Sequence, residues 1–103
     1  MSNPDKTVRT VPVDIAETRY TFLRTDLGVC FTLVDFATTE LELGDAQAAA
    51  QAITNAEKGY ATIRRFLAEI DDEDRHAEIL AGLNKLRKKL DEIGGQQSAQ
   101  ARG

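Results

Sequence analysis

The sequence predicts an all-α fold, an antiparallel up-down-up bundle of three helices, and three observations carry that expectation. Apolar residues recur at steps of four and three along most of the chain, the spacing that lines up one face of a helix. Gly44-Asp45 stands between two such runs with no room for a longer loop, so the flanking helices must fold back on each other as an αα-hairpin. A second short polar break, Asp71-Asp72-Glu73-Asp74, separates the second run from a third. Connections this short make sequential helices antiparallel neighbours.

Residues 1–13 hold both prolines, Pro4 and Pro12, and an alternating Thr7-Val8-Arg9-Thr10-Val11 run without a second strand to pair with. They read as a flexible N-terminal arm. The first helix is expected over 14–43. Asp14 suits its N-cap, Glu17 stands three residues on as in a capping box, and Pro12 discourages extension backwards. From Ala16 the series Tyr20, Leu23, Leu27, Cys30, Val34, Ala37, Leu41 forms one apolar seam. It passes Asp26-Leu27-Gly28 without a change of phase, so one continuous helix is expected there. Phe22, Val29, Leu33, Phe36 and Leu43 make a second apolar strip on another side of the wheel, which only central helices usually carry.

The second helix is expected over 46–70, with Gly44 taking the left-handed conformation that closes the first helix and Asp45 capping the second. Ala49, Ile53, Ala56, Tyr60, Ile63, Leu67 and Ile70 form its stripe. Its alanine-rich start allows close approach to the first helix, and Gly59 at the margin of the stripe reads as a packing glycine. The third helix is expected over 73–93, on Ile79, Leu83, Leu86, Leu90 and Ile93. Lys85, Arg87, Lys88 and Lys89 suit the negative end of its dipole, and Gly94-Gly95 is expected to stop it. Residues 94–103 then read as a disordered tail.

Composition narrows the function classes. A net charge of −4 argues against a nucleic-acid partner, which calls for a basic face. No run of about eighteen apolar residues exists to span a membrane, and Met1-Ser-Asn-Pro-Asp-Lys lacks the apolar centre of a signal peptide. A cytoplasmic protein is the expectation. The single cysteine, Cys30, excludes an intrachain disulfide and a multi-cysteine zinc site. Cys30 lies mid-seam, where a thiol behaves as a small hydrophobe and not as a nucleophile for His76 to activate. No cofactor is expected and no catalytic residue is assigned.

Two constellations invite a metal reading. The acids of 71–74 offer hard oxygen donors, but they also cap a following helix, and no calcium-loop spacing accompanies them. Glu73 and His76 match the Glu-x-x-His pair of carboxylate-bridged di-iron bundles, which need that pair twice. One histidine per chain leaves such a site only to a dimer.

The reversal resembles one tetratricopeptide repeat, in which small residues stand where two antiparallel helices touch. Ala37 fits the small position of the first helix, Gly44-Asp45 the turn, Ala49 and Ala56 the alanines of the second, and Ile53 the bulky position between them. The likeness covers residues 33–61. Leu33, Glu40 and Ala61 depart from it, standing where that family has an aromatic, a tyrosine-like residue and a proline. The resemblance implies protein–protein binding.

The reading is therefore a non-catalytic helical interaction module. Its expected surface is Phe22, Val29, Leu33 and Phe36, and its expected partner a second copy or another protein. The alternative is a small metal- or ligand-binding bundle using Glu73, His76 and nearby carboxylates in a dimer.

Overall fold

A computed structural model describes the backbone of residues 2–102 and the side chains of residues 15–95. It contains three helices, α1 (Ser2–Glu42), α2 (Ala46–Leu67) and α3 (Glu73–Arg102), and no strand among the described residues. The chain is thus all-α, and the two short connections make the bundle up-down-up.

The first reversal forms as its residues dictate. Gly44 sits at φ 88°, a left-handed backbone that a side chain would strain. Its N–H donates to the Leu41 carbonyl at 3.1 Å and that of Asp45 to the Glu40 carbonyl at 2.8 Å, the paired bonds of a Schellman closure. The Asp45 carboxylate accepts the Ala48 N–H at 3.0 Å, capping α2. At the second connection α2 stops at Leu67, three residues before its expected end. The N–H groups of Glu69 and Ile70 turn back to the carbonyls of Phe66 and Leu67. Ile70 stays buried all the same, as a plug of the core outside the helix.

Two further helix ends differ from expectation. The backbone of α1 starts at Ser2, so Asp14 is not an N-cap, and Glu17 pairs with Arg75 of α3 at 2.8 Å instead of closing a capping box. Pro12 does not stop the helix, because its fixed φ is itself helical, although its missing N–H and ring clash cost about 3 kcal/mol. Similarly, α3 runs through Gly94-Gly95 to Arg102. Glycine lowers helix propensity by about 1 kcal/mol against Ala but does not terminate a helix unless it turns left-handed, and among the described glycines only Gly44 has a positive φ. The backbone of residues 2–13 and 94–102, expected as a flexible arm and a disordered tail, is helical, while the side chains of 1–14 and 96–103 lie outside the described residues.

The core is aliphatic. Tyr20, Leu23, Cys30, Val34, Ala37 and Leu41 of α1 meet Ala49, Ala52, Ala56, Ile63 and Leu67 of α2 and Ile79, Leu83, Leu86, Leu90 and Ile93 of α3. The most extensive contact is between α1 and α2. Two glycines set how near the helices come. A Cβ on Gly59 would run into the Cys30 sulfur, and one on Gly82 into the Leu27 side chain. Gly59 is therefore a packing glycine inside an unbroken helix. Gly28 faces open space, and α1 passes through it without interruption.

Polar ties fix the rotation of α3. Arg87 donates to both carboxylate oxygens of Glu57 on α2 at 2.8 Å and lies over the Tyr60 ring, 5.1 Å from its centre. At the other end, Tyr20 donates to Glu78 at 2.6 Å, a bond that raises the phenol pKa, while Arg75 covers the Tyr20 ring at 4.3 Å. Arg19 of α1 reaches Glu69, beyond the end of α2, at 3.3 Å. The molecule is elongated, with a radius of gyration of 18.0 Å, against roughly 13 Å for a compact chain of this length.

Two predictions follow from this packing. Gly59→Ala should lower stability in denaturant titrations, because one more carbon must displace a buried sulfur, a strain of about 1–3 kcal/mol. In a Cys30→Ala background the same change should stabilise by up to about 1 kcal/mol, the helix propensity gain alone. Equal effects in both backgrounds would show that the contact is slack. The second prediction concerns Glu57. Hydrogen bonds from Arg87 hold its carboxyl below the usual range. Its contribution is therefore complete above the unfolded carboxylate pKa of about 4.3 and is lost as pH falls through the lower folded value. Glu57→Gln should cost less than about 1 kcal/mol at pH 7, since the pair is partly exposed. The gap between wild type and variant should close toward pH 3.

Candidate functional site

The two apolar series on α1 part company in the folded chain. The inner one is closed over most of its length, Leu23 and Ala37 at 0% exposure and Cys30 at 2%, with Leu27 half-buried and Ala16 exposed at its start. The outer one is not. Ile15, Phe22, Val29, Phe36 and Leu43 are 51%, 53%, 49%, 49% and 74% exposed. These five stand seven residues apart in strict sequence, and with Leu80 of α3 they are the exposed large hydrophobics among the described residues. Three residues after each of the first four comes a threonine, Thr18, Thr25, Thr32 and Thr39, all exposed. At 100° per residue the centre of this outer strip lies about 150° around the helix from the centre of the core seam.

Of the expected surface, Phe22, Val29 and Phe36 share this strip and Leu33 does not. Leu33 packs half-buried against the core, because its place on the wheel is at the border between the two faces. Ile15 takes its place in the strip. Its signal was present in the sequence, seven residues before Phe22.

At the α2 end of the strip lies an open apolar groove of about 490 Å³. Ile15, Thr18, Arg19 and Phe22 of α1 line it together with Leu23, and Phe66 and Glu69 close the side nearer α2. The first four stand at i, i+3, i+4 and i+7, the set that forms a hole for a single knob residue of a facing helix.

The residues weighed for chemistry lie elsewhere. Cys30 contacts α2 at Gly59, and burial with the nearby Asp26 charge pushes its thiol up to about 11, so it is not a thiolate near neutrality. His76 is half-buried in a separate groove of about 390 Å³ between α2 and α3, with Tyr60, Arg64, Leu80 and Asn84 among its lining. Its backbone N–H bonds the Asp72 carbonyl at 2.8 Å, but its ring makes no hydrogen bond among the described residues. Asp72 is the α3 cap, accepting the Arg75 N–H at 2.9 Å. Glu73 is exposed in the first turn of α3, and no group of three or more potential metal ligands gathers among the described residues. Nor is any helix among them long and apolar enough to cross a membrane.

No family model, curated protein or solved structure matches the chain.

The geometry around Cys30 has a direct test. In the native protein the thiol should resist a neutral disulfide reagent at pH 8 and react in full once denaturant unfolds the chain. Fast labelling under native conditions would place the sulfur outside the core.

Proposed function

We propose that this chain is a non-catalytic helical interaction module that self-associates through the outer face of α1. One observation carries the reading, the five-residue apolar line that the bundle leaves uncovered. Contiguous exposed apolar surface of this kind marks an interaction site. The likeness of the reversal to a tetratricopeptide repeat supports a protein partner too, and its small residues Ala37, Ala49 and Ala56 are all buried where the helices touch.

Light scattering should give the mass of a dimer. Phe36→Asp, at a half-exposed position that the core does not use, should give a folded monomer with unchanged helical circular dichroism. Two lost apolar contacts and two desolvated carboxylates per dimer should weaken association roughly a hundredfold or more. A wild-type protein that stays monomeric at high micromolar concentration would overturn the reading.

A further inference from the structure

Resting on that self-association, we infer that two copies pair their α1 helices antiparallel about a two-fold axis between Cys30 and Phe31. Leu43 of each copy then seats in the Ile15–Thr18–Arg19–Phe22 hole of the other. The occupant of the groove is thus a second copy of this chain.

The first argument is the shape of the hole. Counting the exposed apolar line as position a of a heptad makes the threonines position d and Arg19 position e. The groove residues are therefore a, d, e and the next a. In a parallel pair an a residue enters a hole made of d, g, a and d. An a knob meets an a, d, e, a hole when the helices run in opposite directions, because a then faces d. Leu43, at 74% the most exposed of the large hydrophobics, is the knob without a cover, and Thr18 is the centre of the hole.

The second argument is size. Setting Leu43 opposite Thr18 brings Phe36 opposite Thr25, Val29 opposite Thr32 and Phe22 opposite Thr39. Every layer along roughly 38 Å of helix then holds one large side chain and one small one. A parallel pairing would alternate Phe against Phe with Thr against Thr, bulging and gapped by turns, which close-packed interiors do not tolerate. Thr32 already bonds the Gly28 carbonyl at 3.1 Å, so its hydroxyl is satisfied within its own helix while its methyl remains for the seam.

The third argument is charge. In this register Arg19 of each copy flanks Glu40 of the other, twice per dimer. Arg19 has a side chain 38% exposed beside Glu69, and Glu40 forms no intrachain ion pair among the described residues. The remaining flanking pairs set Asp26 beside Leu33, Gly28 beside Asp35 and Thr21 beside Glu42, none of them of like charge. A parallel pairing would set Asp35 against Glu40.

Charge reversal tests the geometry. Arg19→Glu alone puts four acids at the two contacts, and Glu40→Arg alone puts four cations there. Each should raise the dimer dissociation constant roughly tenfold. The two variants mixed, or both substitutions in one chain, should restore association, with the mixture forming heterodimers. Disulfide trapping in a Cys30→Ala background gives the direction independently. Thr18→Cys and Leu43→Cys in the same chain should cross-link into covalent dimers under mild oxidation, and Leu43→Cys alone should not. Efficient cross-linking through Leu43→Cys alone, or charge variants that do not complement each other, would overturn the antiparallel pairing while the dimer itself stood. A wild-type monomer would remove the self-association beneath it.

Discussion

The reversal at Gly44-Asp45 decides which side of α1 is covered. With the Schellman bonds made and Asp45 capping α2, the second helix has one direction open to it, back along Leu41, Ala37 and Val34. Alanines at 49, 52 and 56 let the two backbones close together just beyond the turn, and Gly59 keeps them close as far as Cys30. Once α2 occupies that side, α3 has the remaining groove. The outer strip of α1 lies opposite both. Its exposure follows from the turn and is not a defect of packing.

That much was legible in the sequence because it is local. A glycine followed by an aspartate between two helical periods specifies its own backbone and hydrogen bonds. The inner seam was legible for the same reason, every member falling on one phase. Helix ends were less so. Pro12 and Gly94-Gly95 permit a break without compelling one, and whether the helix continues depends on the balance of the whole segment. Leu33 stands at the border of the two faces, where only the positions of α2 and α3 decide how far a side chain is covered. The bridges from Arg87 to Glu57 and from Tyr20 to Glu78 could not be read at all. Each joins helices whose relative rotation the sequence does not state.

Those bridges do more to set rotation than to add stability. Their members are partly exposed, where ion pairs contribute little. A bidentate fork from Arg87 nevertheless has one good geometry, and α3 must present that residue toward α2 to reach it. Ion pairs at Glu17 and Arg24 and the Tyr20 hydrogen bond to Glu78 tie α1 to α3 and act alike at the opposite end. The charged face that α1 carries in sequence is thereby partly spent within the chain. What remains toward solvent on the far side is apolar residues and threonines, flanked by Asp35, Glu40 and Glu42.

The spacing of the two faces ties inner packing to outer recognition. A straight α-helix drifts by about 20° over each seven residues. Over the three heptads from Ile15 to Phe36 a fixed strip would rotate by roughly 60°, enough to carry one end toward the core. The exposures argue against such drift, since Ile15, Phe22, Val29 and Phe36 stay within a few per cent of one another. The inner seam keeps the same seven-residue repeat at Tyr20, Leu27, Val34 and Leu41, and again at Leu23, Cys30 and Ala37. A helix that coils to hold one such series against its neighbours holds any other series of equal period straight as well. The contact that buries Cys30 and Ala37 therefore also aligns the side chains on the far face. An outer partner meets a strip already ordered by the core, so association need not spend its gain on ordering the helix first.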